Sequence, residues 1–152
     1  MMLADGKGTG EIHTKLAVTV EELSAVFAIR LRVFVEEQGI STEDDLDGSD
    51  ASAVHALAII DDRPVGTGRF IVGPDAEAEI GRMAVDLEWR CRGIGSRLLR
   101  FLEQEARLRE INHVVLNAQC YIKSFYSAKG YIGEGEVFLD AGIKHVRMSK
   151  TL

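Results

Sequence analysis

Residues 90–99 read R-C-R-G-I-G-S-R-L-L. Arg90, Arg92 and Arg97 bracket Gly93 and Gly95, and an apolar run with helical spacing follows at once. Glycine lets a backbone come close to a ligand. The first N–H groups of a helix have no partner within it and favour an anion. The stretch therefore predicts a loop opening a helix, with a phosphate held at its start. It is not the dinucleotide fingerprint G-x-G-x-x-G, because Leu98 stands where the third glycine would fall.

C-terminal to the loop, Leu98, Leu99, Leu102 and Ala106 predict a helix from about Ile94 to Glu110 with one buried face. HVVLNA (113–118) reads as a short apolar strand. A second helix is expected over 121–129, stopped by Gly130. GEVFLD and KHVRMSK read as two last strands about the turn Ala141-Gly142. N-terminal to the loop, AVHALAII (53–60), VGTGRFIV (65–72) and AEIGRMAV (78–85) are strand-like runs. Asp61-Asp62-Arg63-Pro64 and Gly73-Pro74-Asp75 punctuate them as turns. Residues 11–19 alternate loosely as a further strand.

Thr19 and Glu22 form a capping-box pattern, after which Leu23, Phe27, Leu31 and Phe34 recur at helical spacing. Arg30 falls inside that stripe, and Glu37 lies two turns on, near the same face. The plain expectation is a snorkelling arginine paired with a carboxylate; the sharper one is a pair in a substrate cleft. The order β-α-β-β-β-α-β-α-β-β predicts an α+β fold, layered on one sheet, as a single domain over 1–152. Residues 1–10 read as a mobile end. Their glycines do not make a phosphate loop, because Lys7 is followed by Gly8 rather than Ser or Thr.

Eighteen basic and 24 acidic residues give a net charge of −6, which argues against general nucleic-acid binding. No apolar run approaches the ~20 residues of a membrane span. Two distant cysteines, Cys91 and Cys120, and four scattered histidines show no zinc spacing. A cytoplasmic protein with reduced thiols and no metal is expected. STEDDLDGSD (41–50) resembles the start of a calcium loop, but Val54 stands where the twelfth-position glutamate is required. A solvated acidic loop is the plain reading, and a wall attracting a cationic amine the alternative.

With these residues in view, the chain resembles the GNAT N-acetyltransferase superfamily. IGRMAVDLEWRCRGIGSRLL looks like its acetyl-CoA motif, ending R-x-x-G-x-G. LNAQCYIKSFYSAKGY looks like the strand and helix that follow, with F-Y-x-x-x-G-[FY]. LRVFVEEQ, DLDGSD and AGIKHVRM resemble the ElaA-like branch of bacterial GNATs. The resemblance implies a mostly antiparallel, twisted sheet of six to seven strands, flanked by helices and splayed into a V between the fourth and fifth strands. It implies acetyl-CoA as co-substrate and transfer to a primary amine by direct attack in a ternary complex.

By the same resemblance, the diphosphate lies on residues 90–96 and the pantetheine arm runs along Met83, Ala84 and Val85. Tyr126 protonates the departing thiolate. Gln119 stands where many members carry Asn, so its amide is expected to contact the pantetheine or Tyr126. An amine of pKa about 10.4 is almost wholly protonated at pH 7, so a base is needed. Glu37, Glu79, His55 and His145 are candidates, with Glu79 and Glu37 preferred and a structural role expected for His145. Cys120 reads as a small buried residue rather than a nucleophile.

Two other functions fit part of the pattern. R-x-x-V-F-V-x-E from Arg30 to Glu37, with Asp44 and Asp47, also resembles acyl-homoserine-lactone synthases. A non-catalytic CoA-binding module would keep the loop but lack an acceptor. A homodimer paired through C-terminal edge strands is a further expectation.

Overall fold

The computed structural model describes residues 10–152. Apart from Gly10, the mobile end expected from residues 1–10 lies outside the described residues. After strand β1 (His13–Leu16), Thr19 caps helix α1 (Val20–Arg30). The Thr19 Oγ1 accepts from the Glu22 N–H at 3.1 Å, and Glu22 Oε1 accepts from the Thr19 N–H at 3.0 Å. The expected capping box is thus formed.

The helix does not keep its 3.6-residue pitch. It widens into a π-helical turn over Leu31–Glu37. The stripe read from the sequence departs from the buried face even before that turn, since Leu23 and Phe27 are only half-buried, whereas Phe34 is buried as expected. The buried face is Val26, Ile29, Arg30, Val33 and Phe34, whereas Leu31 is 44% exposed. Ser41 then caps the single turn α2 (Thr42–Asp45).

Three strands form a meander: β2 (Val54–Ile60), β3 (Arg63–Val72) and β4 (Ala78–Val85). Asp61 and Asp62 both take positive φ, as a two-residue hairpin turn requires. Helix α3 (Ile94–Leu108) crosses back over the sheet to β5 (His113–Gln119), and α4 (Lys123–Ala128) leads to β6 (Ile132–Asp140) and β7 (Ile143–Thr151).

The seven strands lie in the order β1-β2-β3-β4-β5-β7-β6. All pairs are antiparallel except β4–β5. That parallel pairing joins only Ala78–Ile80 to Val114–Leu116, although both strands run on. Beyond it they diverge, which is the expected V.

Helices cover both faces. On one, Ala56, Ala58, Ile80, Leu116, Val146 and Met148 pack with α3 and Tyr126. On the other, Leu57 and Ala84 pack with Val26, Ile29, Val33 and Phe34. The closeness of α3 depends on two glycines of β3 that the sequence reading did not single out. A Cβ at Gly66 would come within 3.0 Å of Leu98 Cδ1, and one at Gly68 within 3.0 Å of Leu102 Cδ1. Among the described residues, no helix is long and apolar enough to cross a membrane.

Candidate active site

The divergence of β4 from β5 opens a cleft of about 380 Å³, a size suited to a small molecule. A bulge shapes its β4 wall. Thr67 pairs with Ala84 and Arg69 with Gly81, so Arg82 and Met83 together face Gly68. Arg82 takes the strained φ of +53°. The bulge bends β4 away from its neighbour at the residues expected to carry the pantetheine arm, Met83, Ala84 and Val85.

At the end of β4 the loop turns into α3 as expected. Cys91 and Gly93 both have positive φ (64° and 82°). Gly93 is the N-cap of α3, and no side chain caps the first turn and no acidic residue lies in it. The N–H groups of Ile94, Gly95 and Ser96 are therefore left for another acceptor. At Gly95 an added Cβ would sit 3.5 Å from Phe125, an ordinary contact, so internal packing does not demand glycine there. Arg92 lies over the Trp89 ring at 4.8 Å.

Arg90 does something else. Its Nε donates to the Val85 carbonyl at 2.8 Å, and its two Nη atoms donate to both oxygens of Glu37 at 2.6 and 2.7 Å. These hydrogen bonds hold the Glu37 carboxyl below its ordinary range. Glu37 is absent from the lining of the cleft. The pairing of Glu37 with Arg30 expected from helical spacing is not formed, because the π turn lies between them.

Arg30 is instead 1% exposed at the centre of a charge cluster. It bonds both carboxylate oxygens of Asp45 at 3.3 Å and reaches Asp50 at 2.7 Å. Arg69 bonds Asp47 and Asp50, each at 2.7 Å. Arg82 reaches across from the bulge to the carbonyls of Asp44 and Asp45, at 3.1 and 3.0 Å, and to Asp47 at 3.3 Å. Burial pushes Asp50 up, but hydrogen bonds from Arg30 and Arg69 outweigh it and leave the carboxyl below its usual value. Arg69 lowers Asp47 in the same way. The loop 41–50 is therefore not simply a solvated acidic segment. Three of its carboxylates are bound to three arginines, and it forms a fixed wall of the cleft.

Tyr126 enters the cleft from the α3 face. Burial, with a smaller contribution from Tyr121, pushes its hydroxyl up to about 12. Phe125 and Tyr131 hold the ring edge-on, at 5.0 and 5.9 Å between centroids. Gln119 lines the cleft, but its amide donates to Gln38 at 3.1 Å rather than to Tyr126. That bond ties β5 to the end of the π turn. Glu79 and His145 also line the cleft, and Glu79 makes no hydrogen bond or ion pair with a described residue. His55 does not line it: the ring is buried, with Nε2 3.0 Å from the Asp50 carbonyl and Nδ1 unpartnered. Cys120 is half-buried and Cys91 exposed, both as free thiols. No cluster of metal ligands occurs among the described residues.

A splayed parallel pair, a bulged strand and an uncapped helix start together define the class of fold. The acetyltransferase (GNAT) domain model matches residues 31–152, and the chain belongs to the GNAT family. It is 34% identical over 137 residues to the uncharacterized N-acetyltransferase YjcF of Bacillus subtilis, covering 89% of this chain and 96% of that one. Its fold matches the crystal structure of Escherichia coli ElaA with a TM-score of 0.82 at 27% identity, over 92% of this chain and 99% of that one. An acyl-CoA N-acyltransferase from Pseudomonas aeruginosa matches with a TM-score of 0.80 at 28% identity, over 93% and 99%.

Proposed function

We propose that the protein is an acetyl-CoA-dependent N-acetyltransferase that acts on a primary amine by direct attack in a ternary complex. The observation that carries this reading is the cleft at the splay. Tyr126 enters it from one face of the sheet, and the same β4 that walls it ends in the uncapped turn of α3. Diphosphate oxygens would accept from the N–H groups of Ile94, Gly95 and Ser96. The pantetheine amides would pair with the free edge of β4 from Met83 to Val85, and the thioester would then sit in the cleft.

Held near 12, the Tyr126 hydroxyl keeps its proton at any ordinary pH and donates it toward the sulfur as the C–S bond breaks. Full transfer to a thiolate of ordinary basicity, about 8.5, is uphill on its own. The second proton of the amine, acidified once nitrogen has attacked, restores the tyrosine and drives the step. Bringing amine and thioester together in one cleft supplies much of the rate. The unpaired carboxylate of Glu79 suits a cationic acceptor, since the Asp45, Asp47 and Asp50 charges are already matched. Two free thiols fit a reducing, cytoplasmic setting.

The test is a titration with acetyl-CoA by calorimetry and by the fluorescence of Trp89, followed by a panel of polyamines, lysine and amino sugars scored for thiol release and acetylated product. One-site binding with amine-dependent release supports the reading. No binding at submillimolar acetyl-CoA overturns it, and binding without transfer to any amine leaves a CoA-binding module.

A further inference from the structure

We infer that His145 is the base that takes the proton from the acceptor amine; this rests on the acetyltransferase reading. Along β7, His145 alternates with Val146 and Met148, which face α3 and Tyr126 in the core. His145 therefore reaches the cleft from the face opposite Tyr126, and the two groups meet across the splay. An acid for the leaving sulfur and a base for the entering nitrogen need that opposition.

The ring is built for the task. Nδ1 lies 2.7 Å from the carbonyl of Ile143. A carbonyl only accepts, so Nδ1 carries the hydrogen and the lone pair of the neutral ring is on Nε2. Phe138 stacks on the imidazole at 5.8 Å and 24°, fixing its plane. Nε2 makes no hydrogen bond with a described residue, yet it is not sealed in protein as His55 Nδ1 is. Of two buried histidines, one seals its unpartnered nitrogen in protein and the other belongs to the lining of the cleft.

Register separates His145 from Glu79. His145 is opposite Gln119, in the splayed half of β5. Glu79 is opposite Val115, inside the paired half. Four residues of strand, about 13 Å, lie between the two levels. The Arg82–Met83 bulge is on the His145 side of that interval.

The step balances as follows. The ammonium gives one proton to Nε2, which passes it to solvent. The nitrogen lone pair forms the C–N bond, the C–S bond breaks, and sulfur takes the Tyr126 proton. The second nitrogen proton restores Tyr126.

The experiment compares n-butylamine, protonated at pH 7, with hydroxylamine, neutral at pH 7, as probe nucleophiles. His145→Asn keeps a donor near the Nδ1 position and removes the base. It should lower turnover of n-butylamine about 100-fold or more, change that of hydroxylamine less than about threefold, and leave the acetyl-CoA Kd unaltered. Imidazole should restore butylamine turnover in His145→Ala. Equal losses with both nucleophiles, or none, overturn the inference. So does an amine-selective loss confined to Glu79→Gln. Wild-type protein that binds acetyl-CoA but acetylates neither these probes nor any amine of the panel overturns the acetyltransferase reading itself, and the base with it.

Discussion

Two charged loops of the molecule, one a wall of the cleft and one at the start of α3, treat their polar groups in opposite ways. The loop at 90–96 leaves the backbone donors of Ile94, Gly95 and Ser96 unspent: the first turn of α3 has no side-chain cap, and Gly93 takes the left-handed backbone that opens it. The loop at 41–50 spends Asp45, Asp47 and Asp50 on Arg30, Arg69 and Arg82. Unpaired groups at a surface await a ligand, whereas paired charges in the interior fix a shape. Both loops are rich in charge and turn residues, one basic and one acidic, and their partners set their roles apart.

The largest expected effect lies in the cleft itself. Tyr126→Phe should lower turnover by about 10²- to 10⁴-fold with the acetyl-CoA Kd unchanged by calorimetry; a parallel loss of affinity would make the ring a packing element. Next comes the architectural wall. Asp50→Asn leaves Arg30 and Arg69 short of a partner and should cost about 3–5 kcal/mol in urea unfolding, while folded protein keeps its acetyl-CoA affinity. The same wall has a pH signature. Asp47 and Asp50 are held below their ordinary values, so their contribution is complete above the unfolded pKa of about 3.9. It is lost as pH falls through the depressed folded values, and the wild type should lose more stability over that range than Asp50→Asn does.

Away from both loops, Thr19→Ala should remove about 1 kcal/mol through the capping box, read as a lower urea midpoint with catalysis intact. The smallest effect sharpens the contrast most. Because Glu37 already holds Arg90, Arg90→Ala and Glu37→Ala should each weaken acetyl-CoA binding slightly and alike, by about 0.2–1 kcal/mol. A guanidinium that binds diphosphate directly would give opposite signs: weaker binding for Arg90→Ala, tighter for Glu37→Ala.

What was legible in the sequence follows the same division. The loop 90–96 is contiguous, so its glycines, arginines and helix start are read together, and the strand-like runs around it place the strands, whereas the V is implied only by the family resemblance. The capping box at Thr19 is equally local. The cluster around Arg30 is not. Its partners stand 15 and 20 residues away, and Arg82 meets Asp45 from 37 residues off, brought there only by the sheet. The π turn defeats a 3.6-residue template, which is why Glu37 is expected beside Arg30 and found beside Arg90. Gly66 and Gly68 carry no local signal, since what they accommodate is a helix that comes some thirty residues later.

The extra residue in β4 has a consequence for anyone exchanging parts between relatives. Arg82 belongs by position to the strand expected to hold the thioester and by its hydrogen bonds to the loop 41–50 that walls the cleft. The two halves of the molecule are thus not separable modules. A transplant of residues 41–50 into another scaffold would need positions 30, 69 and 82 to travel with it, and new acceptor loops would have to be selected together with the strand that faces them.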